Sequence, residues 1–270
     1  CGLNGRYSPA FNLHRSPFIG RINEYFSEDP ILSGKVATAF VNGTGNAGLT
    51  DYVKHFGLND QETNRTSACT WATEQVIREL YNKPFELVMR DSRKAVKYTS
   101  DMEGNTSTRV MRGLSGMMIS QNRVGTTRGF FHYNLVTELV RKEWGFNGHI
   151  ITDMFTIRTG DIDQMVRAGT DSWLAWMGGG QLLDYDSAIS RTAVREAIHH
   201  MAYTIANSNV MQNSPPGTII YYTMSPWRIA LIIVSVVVFT LTAAMSVLTV
   251  LRVLHAKKHP ELYKNKKRDA

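Results

Sequence analysis

Short apolar runs and longer amphipathic segments alternate along the first 210 residues. The runs are rich in β-branched and aromatic residues and predict strands over residues 6–13, 49–55, 116–120, 149–153 and 170–176. Segments with apolar positions three and four residues apart predict helices over residues 30–42, 73–92, 133–143, 162–168 and 184–207. This order of strand-then-helix units predicts an α/β fold with a parallel sheet, either an open sheet or a (β/α)8 barrel.

The number of units limits how much of a barrel is present. Five strand-then-helix units are three fewer than a closed (β/α)8 barrel contains. We therefore predict a truncated (β/α)8 TIM-type barrel over residues 1–210, with the remaining strands encoded upstream.

A different pattern occupies the C-terminal end, where residues 229–251 contain no charged residue over 23 positions. A helix rises about 1.5 Å per residue, so this segment is long enough to cross a bilayer core of roughly 30 Å. Core helices of soluble proteins are rarely so long and so uniformly apolar. The pattern predicts one transmembrane helix over residues 227–252, with residues 229–251 in contact with the lipid bilayer.

The charges on either side of this segment predict its orientation. Seven Lys and Arg residues follow it, and only Arg228 immediately precedes it. Because Lys and Arg are enriched on the cytoplasmic side of membrane spans, we predict a basic cytoplasmic tail over residues 253–270 and an extracytoplasmic globular part. Residues 211–226 contain a Pro-Pro-Gly sequence and no helical periodicity, which is typical of a linker. We expect a single-pass protein of the cell membrane.

Charge and cysteine content exclude two further classes of protein. From Arg228 to Ala270, eight basic and two acidic residues give +6 of the net charge of +7, which leaves +1 for residues 1–226. A globular part with so little net charge gives no electrostatic reason to expect a nucleic-acid partner. Cys1 and Cys69 are too few for a disulfide scaffold and lack the spacing of a zinc site, so we expect no metal.

Polar residues cluster where the predicted strands end. They are Asn12, His14 and Arg15 after the first strand, Lys54 and His55 at the second, Gln121, Asn122 and Arg123 after the third, and Asp153 at the fourth. The C-terminal ends of parallel strands line the active site in such folds, so this placement favours an enzyme. Each residue also has a structural interpretation, such as Asp153 capping the next helix. A P-loop, G-x-S-x-G, H-E-x-x-H and a G-x-G-x-x-G following a predicted strand are absent, which disfavours nucleotide chemistry and serine hydrolysis.

Three segments together resemble glycoside hydrolase family 3 of the β-glucosidase type. They are residues 7–34 (YSPAFNLHRSPFIGRINEYFSEDPILSG), 54–65 (KHFGLNDQETNR) and 143–153 (EWGFNGHIITD). The resemblance covers nearly all of residues 1–210, and the motifs stand in the family's order. It implies the C-terminal part of the family's barrel, a hydrolase that cleaves terminal β-linked sugars, a β-glycoside or oligosaccharide substrate, and no cofactor.

The resemblance also implies roles for individual residues. The aspartate that closes the GFNGHIITD motif is the family's catalytic nucleophile, which corresponds here to Asp153. The Lys-His pair that binds the hydroxyls of the reacting sugar corresponds to Lys54 and His55, and two sugar-binding arginines correspond to Arg21 and Arg65. Nearby cations favour the ionised carboxylate that a nucleophile requires, and fixed donors to ring hydroxyls stabilise an oxocarbenium-like transition state.

Two positions depart from the family's pattern. Gln121 stands where many relatives have tyrosine, and Met154, beside the nucleophile, stands where many have tryptophan. Both positions are expected to contact the sugar, and the loss of two aromatic rings removes stacking surface. This leaves β-xylosidase and α-arabinofuranosidase as alternatives to β-glucosidase. The sequence KHFGLN, in place of KHFPGHG, disfavours the N-acetylglucosaminidase branch.

The second carboxyl group that a retaining glycosidase needs is not identified. In β-glucosidase-type members, this acid/base glutamate comes from a separate α/β sandwich domain, whereas here the globular part leads directly into the linker. We therefore expect a permuted order, with the sandwich domain upstream of Cys1, and an inactive chain over residues 1–270 alone. Glu24, Glu28 and Glu62 lie in motifs but are expected to be structural. The alternative from another class is a non-catalytic, membrane-anchored sugar-binding protein.

Overall fold

The computed structural model describes residues 4–155, 158, 160–175, 180–208 and 223–263. The chain divides into two compact units, Cys1–Gly217 and Thr218–Ala270. Most of the predicted linker and the last seven residues of the predicted tail lie outside the described residues.

The predicted strands and helices occur in the predicted order along the chain, with further short strands between them. The described strands are β1 (Gly5–Arg6), β2 (Thr50–Phe56), β3 (Cys69–Thr70), β4 (Arg93–Thr99), β5 (Thr106–Arg112), β6 (Gly116–Ile119), β7 (Arg123–Val124), β8 (Thr127–Arg128), β9 (His149–Phe155) and β10 (Ser172–Ala175). The described α-helices are α1 (Pro30–Asn46), α2 (Glu74–Val76), α3 (Lys83–Asp91), α4 (Asp161–Arg167), α5 (Ala188–Ala206) and α6 (Pro226–Lys258). Ile77–Tyr81 and Asn134–Glu143 are π-helical, and Ile22–Glu24, Gly129–Phe131 and Pro260–Leu262 form 3₁₀ turns.

The main sheet of the first unit has five strands in the order β1-β2-β6-β9-β10, and all neighbours are parallel. Their order in space is their order in the chain, as in one part of a (β/α)8 barrel. All four residues of β6 are buried, which is typical of a parallel strand covered on both faces. The predicted parallel α/β fold is therefore confirmed.

Two predicted elements are shorter or broken, and each contains a proline. The strand predicted over residues 6–13 is only Gly5–Arg6, because Pro9 has no backbone N–H to donate to a ladder. The helix predicted over residues 73–92 is interrupted at Asn82, whose backbone N–H bonds to the carbonyl of Ile77 at 2.8 Å across a widened turn. The next helix begins at Lys83, and Pro84 is its second residue, where the missing N–H breaks no helical hydrogen bond.

An antiparallel hairpin, β4 and β5, was not predicted from the sequence. It pairs seven residues of each strand, from Arg93 opposite Arg112 to Thr99 opposite Thr106. Along β4, buried and less buried residues alternate, and Val96 is among the buried ones. This period of two is the signal that would have identified the hairpin.

Aromatic side chains form the centre of the core beneath the sheet. Phe11, Phe56 and Phe85 are fully buried, and the ring of Phe85 lies 4.4 Å from that of Phe11 and 5.4 Å from that of Phe56. Apolar residues of α1 and α3 belong to the same cluster. Burial of one such ring contributes roughly 2–3 kcal/mol, so this packing fixes the strand end that carries Lys54 and His55.

The second unit contains the apolar helix α6, which has 33 residues and no buried residue. Its mean hydropathy reaches 2.6 over an 18-residue window, and by length and composition it is able to cross a membrane. The helix begins at Pro226, where a missing N–H breaks no helical hydrogen bond. It ends at Lys258, six residues beyond the predicted span, and His255, Lys257 and Lys258 lie in its last turn.

Two glycine-to-alanine substitutions test the packing of the first unit. A Cβ at Gly148 would lie 2.2 Å from the carbonyl oxygen of Ser115, where β6 and β9 begin side by side. A Cβ at Gly43, within α1, has no heavy atom within 4 Å. We expect Gly148→Ala to lower the free energy of unfolding by about 1–3 kcal/mol and Gly43→Ala to raise it by about 0.5–1 kcal/mol. Urea unfolding of the full chain in detergent measures both, and equal stabilities would contradict the close approach.

Candidate active site

The predicted site residues meet at the C-terminal edge of the parallel sheet. Lys54 and His55 lie at the end of β2, and Asp153 lies near the end of β9. Arg21 immediately precedes the 3₁₀ turn after β1, and Arg65 lies in the loop between β2 and β3. Because the carboxyl ends of parallel strands share one edge, residues far apart in the sequence reach the same place.

Asp153 is held by an arginine and by the backbone N–H of the next residue. Arg65 Nη1 donates to Asp153 Oδ2 at 2.7 Å, and the backbone N–H of Met154 donates to Oδ1 at 2.7 Å. The side chain of Asp153 is 12% exposed, so it reaches solvent from a largely buried position. Charge-assisted hydrogen bonds of this kind orient a carboxylate, and each oxygen retains a lone pair for another contact.

Acidic and basic side chains alternate from Asp153 back to Lys54. Glu62 lies between two arginines: its Oε1 accepts from Arg21 Nη1 at 2.9 Å, and its Oε2 is 3.3 Å from Arg65 Nε. Arg21 Nε also donates to Glu24 Oε1 at 3.0 Å, and Glu24 Oε2 is 3.6 Å from Lys54 Nζ. We call these residues, together with Asp153, the charge network. Glu24 and Glu62, expected to be structural, are the carboxylates that orient the two arginines.

His55 is buried beside the charge network in its neutral form. Burial, and then the positive charges of Arg21, Lys54 and Arg65, hold the pKa of His55 well below its usual value. Arg21 Nη1 lies 3.1 Å from His55 Nε2. A guanidinium only donates, so Nε2 accepts and the proton resides on Nδ1. Nδ1 has no partner among the described residues and is itself buried, so the Nδ1–H group is enclosed by the protein.

Asn12 fixes the backbone at His55. Its amide Nδ2 donates to the carbonyl oxygen of His55 at 3.0 Å, and its Oδ1 accepts from the backbone N–H of His55 at 2.9 Å. Asn12 was a candidate for its place after the first strand, and its observed partner is the backbone of β2.

Asp60 and Tyr25 support the same edge and were missed in the sequence. Asp60 Oδ1 accepts from the backbone N–H of Leu13 at 2.6 Å, and burial raises the pKa of Asp60 to about 7. The hydroxyl of Tyr25 donates to the carbonyl oxygen of Asn59 at 2.9 Å. Both residues lie within the quoted motifs, but nothing in a motif distinguishes a supporting residue from one that contacts a ligand.

Gln121 and Met154 lie next to Asp153, as expected for residues near the sugar. The amide Nε2 of Gln121 contacts the carbonyl oxygen of Met154, and the side chain of Met154 is at the surface, with 37% of the residue exposed. Their contact with a sugar stays a prediction.

The remaining polar residues at strand ends lie beside the charge network. His14 packs its ring against Tyr25 at 6.3 Å, and Arg15 is exposed, with its charge acting on the buried Asp60. Asn122 is buried beside Gln121, and Arg123 begins the short strand β7. Within the described part of the chain, no group of three His, Cys, Asp or Glu residues is placed to hold a metal ion.

Comparison with known proteins identifies the family. Residues 1–180 match the profile of the Glycosyl hydrolase family 3 N terminal domain. Beta-glucosidase A of Butyrivibrio fibrisolvens is 32% identical over 195 residues, which are 72% of this chain and 20% of that protein. A beta-glucosidase of Ruminococcus albus is 39% identical over 145 residues, 54% of this chain and 13% of its own. The chain belongs to glycosyl hydrolase family 3.

The solved structures show the same domain. Beta-glucosidase 3B from Thermotoga neapolitana, in complex with glycerol, has a TM-score of 0.61 and 25% identity over 78% of this chain and 28% of its own. The predicted family is confirmed, and the five-stranded parallel sheet matches part of the TIM-like domain of that family. The chain spans about a fifth of the length of the curated relatives it matches. Its assignment to the C-terminal part of the barrel stays a prediction.

The raised pKa of Asp60 predicts how stability depends on pH. In the folded chain, the carboxyl of Asp60 keeps its proton up to about pH 7, whereas an aspartate in the unfolded chain loses its proton near pH 4. The protonated Asp60 therefore makes its full contribution to stability below about pH 4. The free energy of unfolding falls as the pH rises from about 4 to 7, because the proton then binds only to the folded chain.

Asp60→Asn keeps an oxygen acceptor for the Leu13 N–H but has no proton to lose. We expect the variant to gain stability relative to the parent across this pH window, by up to about 4 kcal/mol. Urea unfolding at pH 4, 5.5 and 8 measures the difference. Gly43→Ala changes no titratable group and is the control, since its effect should be the same at each pH. A pH-independent effect of Asp60→Asn would contradict the assignment.

Proposed function

We propose that the whole protein is a retaining β-glycoside hydrolase that uses Asp153 as its nucleophile. The observation that carries the proposal is the placement of Asp153. It is a partly exposed carboxylate at the end of β9, oriented by Arg65 at 2.7 Å within a network of alternating charges. Relatives named β-glucosidases support a terminal β-linked glucose as substrate.

In this mechanism the described residues bind the sugar and supply the nucleophile. Lys54 donates to hydroxyls of the reacting sugar, and the buried His55 accepts from Arg21 and so orients that guanidinium. A carboxylate oxygen of Asp153 bonds to the anomeric carbon as the bond to the leaving oxygen breaks, and that oxygen takes a proton from the acid/base group. Water then attacks the glycosyl-enzyme, gives its proton to the same group and releases Asp153.

The acid/base group in this proposal comes from the upstream sandwich domain of the same polypeptide. Glu62 contacts Arg21 and Arg65, and Glu24 contacts Arg21 and Lys54, so both carboxylates are held by cations. A proton donor needs a carboxyl group free of such partners. The relatives are about five times the length of the matched segment, which leaves ample sequence for another domain.

A second candidate function is non-catalytic sugar binding, and one observation favours it. In the part of the chain that the structure describes, the carboxylates of the charge network are all paired with cations. A protein without a further domain would retain the sugar-binding donors and lack the acid/base group. The surface position of Met154, in place of an aromatic ring, keeps β-xylosidase and α-arabinofuranosidase activities as alternatives within the family.

We also propose that helix α6 anchors the protein in a membrane. Helix α6 is long and apolar enough to span a bilayer, and basic residues lie in its last turn. The positive-inside tendency then orients the helix with its C-terminal end in the cytoplasm and the hydrolase unit on the outer side. A hydrolase in that position acts on glycosides outside the cell.

Labelling with a slow substrate tests the nucleophile. The complete polypeptide is treated with a 2-deoxy-2-fluoro-β-glucoside that carries a good leaving group, and its peptides are mapped by mass spectrometry. We expect a stable glycosyl adduct on Asp153, because the fluorine slows both formation and hydrolysis of the intermediate, whereas the good leaving group restores only its formation.

Asp153→Asn should abolish the label, whereas Asp186→Asn, which removes a charge from an exposed position on the same unit, should keep it. A label from the xylo or arabino analogue, but not from the glucoside, would identify a different sugar as the substrate. Absence of label with all three reagents, in a protein that still binds the free sugars, would favour the non-catalytic alternative.

The exposed Cys69 reports the side of the membrane on which the first unit lies. We expect a membrane-impermeant maleimide to label the parent protein in intact cells, and Cys69→Ser to reduce the label to that of other cysteines. A Lys258→Cys substitution in the Cys69→Ser background should be labelled only after permeabilisation. Labelling of Lys258→Cys, but not of Cys69, in intact cells would reverse the proposed orientation.

A further inference from the structure

A cavity of about 1050 Å³ lies beside the end of β9 and has no part in the mechanism above. Its walls come from the loop after β2, the segment after β6 and the end of β9, through Thr66, Gln121 and Phe155. It therefore opens at the same edge of the sheet as the nucleophile. Phe131 and Tyr133 also line it, and Tyr133 is 46% exposed. The cavity thus offers aromatic surface to a ligand.

Three arginines of this cavity, Arg123, Arg128 and Arg158, form what we call the arginine cluster. Arg123 and Arg128 are direct cross-strand partners in the hairpin of β7 and β8. Within the described residues, their nearest hydrogen-bond acceptors are backbone carbonyls: Thr126 for Arg123 at 2.8 Å and Gln121 for Arg128 at 3.5 Å. The structure places no carboxylate of the described chain in a salt bridge with any of the three.

The arginine cluster holds like charges close together. Burial, and after it the positive charges of Arg123 and Arg158, lower the pKa of Arg128, while Asp161 acts in the opposite direction. Like charges directly opposite one another destabilise a hairpin. An anion bound among these guanidiniums would remove that repulsion.

Arg167, which lines the same cavity, shows the contrasting case. Its Nη2 donates to Asp184 at 2.5 Å, and its side chain also contacts Ser190. Asp161 also lines the cavity, and its Oδ2 accepts from the backbone N–H of Arg158 at 2.6 Å, so among the described residues that line the cavity the arginines without a salt bridge are those of the arginine cluster.

A short chain of contacts joins the arginine cluster to the nucleophile. Arg128 donates to the carbonyl oxygen of Gln121, and the side chain of Gln121 contacts the carbonyl oxygen of Met154, whose N–H bonds to Asp153. The charge network lies on the β2 side of Asp153, while the cavity lies over β6 and β9. A glycoside with its sugar on the charge network would extend its other end into the cavity.

We infer that the cavity binds the leaving group of the substrate and selects leaving groups that carry a carboxylate on an aromatic ring. The arginine cluster supplies paired donors whose planar geometry matches a carboxylate. Phe131 and Tyr133 supply surface for the ring. The inference rests on the proposed glycosidase function for the position of the sugar.

Paired substrates and paired ligands test the inference with the complete polypeptide. The substrates are 4-carboxyphenyl and 4-carbamoylphenyl β-glucosides, which have nearly the same size and differ in charge. The ligands are the free phenols, 4-hydroxybenzoate and 4-hydroxybenzamide, whose binding is measured by calorimetry. We expect the charged member to have a KM and a Kd about tenfold lower, because charge-assisted hydrogen bonds are the stronger ones. Added salt should reduce the difference.

Substitutions locate the effect in the arginine cluster. Arg128→Gln should remove the preference for the carboxylate, so that the charged and neutral partners have equal KM and Kd values. Arg158→Gln, at an exposed position, should reduce the preference even if Arg128→Gln does not fold. Arg191→Gln removes an exposed arginine of α5 outside the cavity and should keep the full preference. An aryl β-glucuronide carries its charge on the sugar, so its KM should not be lower than that of the neutral glucoside.

The outcomes separate this inference from the proposed function. Equal KM and Kd values for charged and neutral partners, in a protein that hydrolyses both glucosides, would overturn the inference and leave the hydrolase intact. Selective, Arg128-dependent binding of 4-hydroxybenzoate without hydrolysis of either glucoside would support the arginine cluster as an anion site and overturn the proposed function. A preference for the glucuronide would place the anion on the sugar side and overturn the inference.

Discussion

The ion pair between Arg65 and Asp153 is the interaction on which the site depends. Both side chains are largely shielded from water, and a carboxylate taken out of water needs a cation and hydrogen bonds to remain charged. The two residues are 88 positions apart in the chain, one in the loop after β2 and the other on β9. The pair therefore fixes the loop to the strand end. Removal of either member would leave an uncompensated charge at the edge of the sheet.

Opposite charges also compensate one another in the rest of the site. Glu62 separates the guanidiniums of Arg21 and Arg65, which would otherwise repel one another. His55 is neutral because burial and the nearby cations disfavour its charged form, and its Nε2 accepts from Arg21. Donors that are held in place in this way need little rearrangement when charge develops in a reaction. On the other side of Asp153, the arginines are not compensated in this way, so the two flanks of the nucleophile differ in charge.

Much of the fold and part of the site were predictable from local patterns. The strand predicted over residues 149–153 is β9 (His149–Phe155), and the strand predicted over 49–55 is β2 (Thr50–Phe56). The resemblance to the family's motifs already assigned Arg65 and Asp153 to the same site. The hairpin of β4 and β5 was missed although its period of two is visible, because it lies outside the strand-then-helix order that guided the prediction.

The sequence by itself determined the parallel α/β architecture, the family and the apolar helix α6, because periodicity and contiguous motifs are properties of neighbouring residues. Only the tertiary structure decided what each charged side chain does. In the sequence, Glu62 is one acidic residue of a motif, whereas in the structure it contacts both Arg21 and Arg65. Arg128 belongs to none of the motifs, but it lies opposite Arg123 in a hairpin. Electrostatic partners depend on distances in space, and those distances exist only once the sheet has brought its strand ends to one edge.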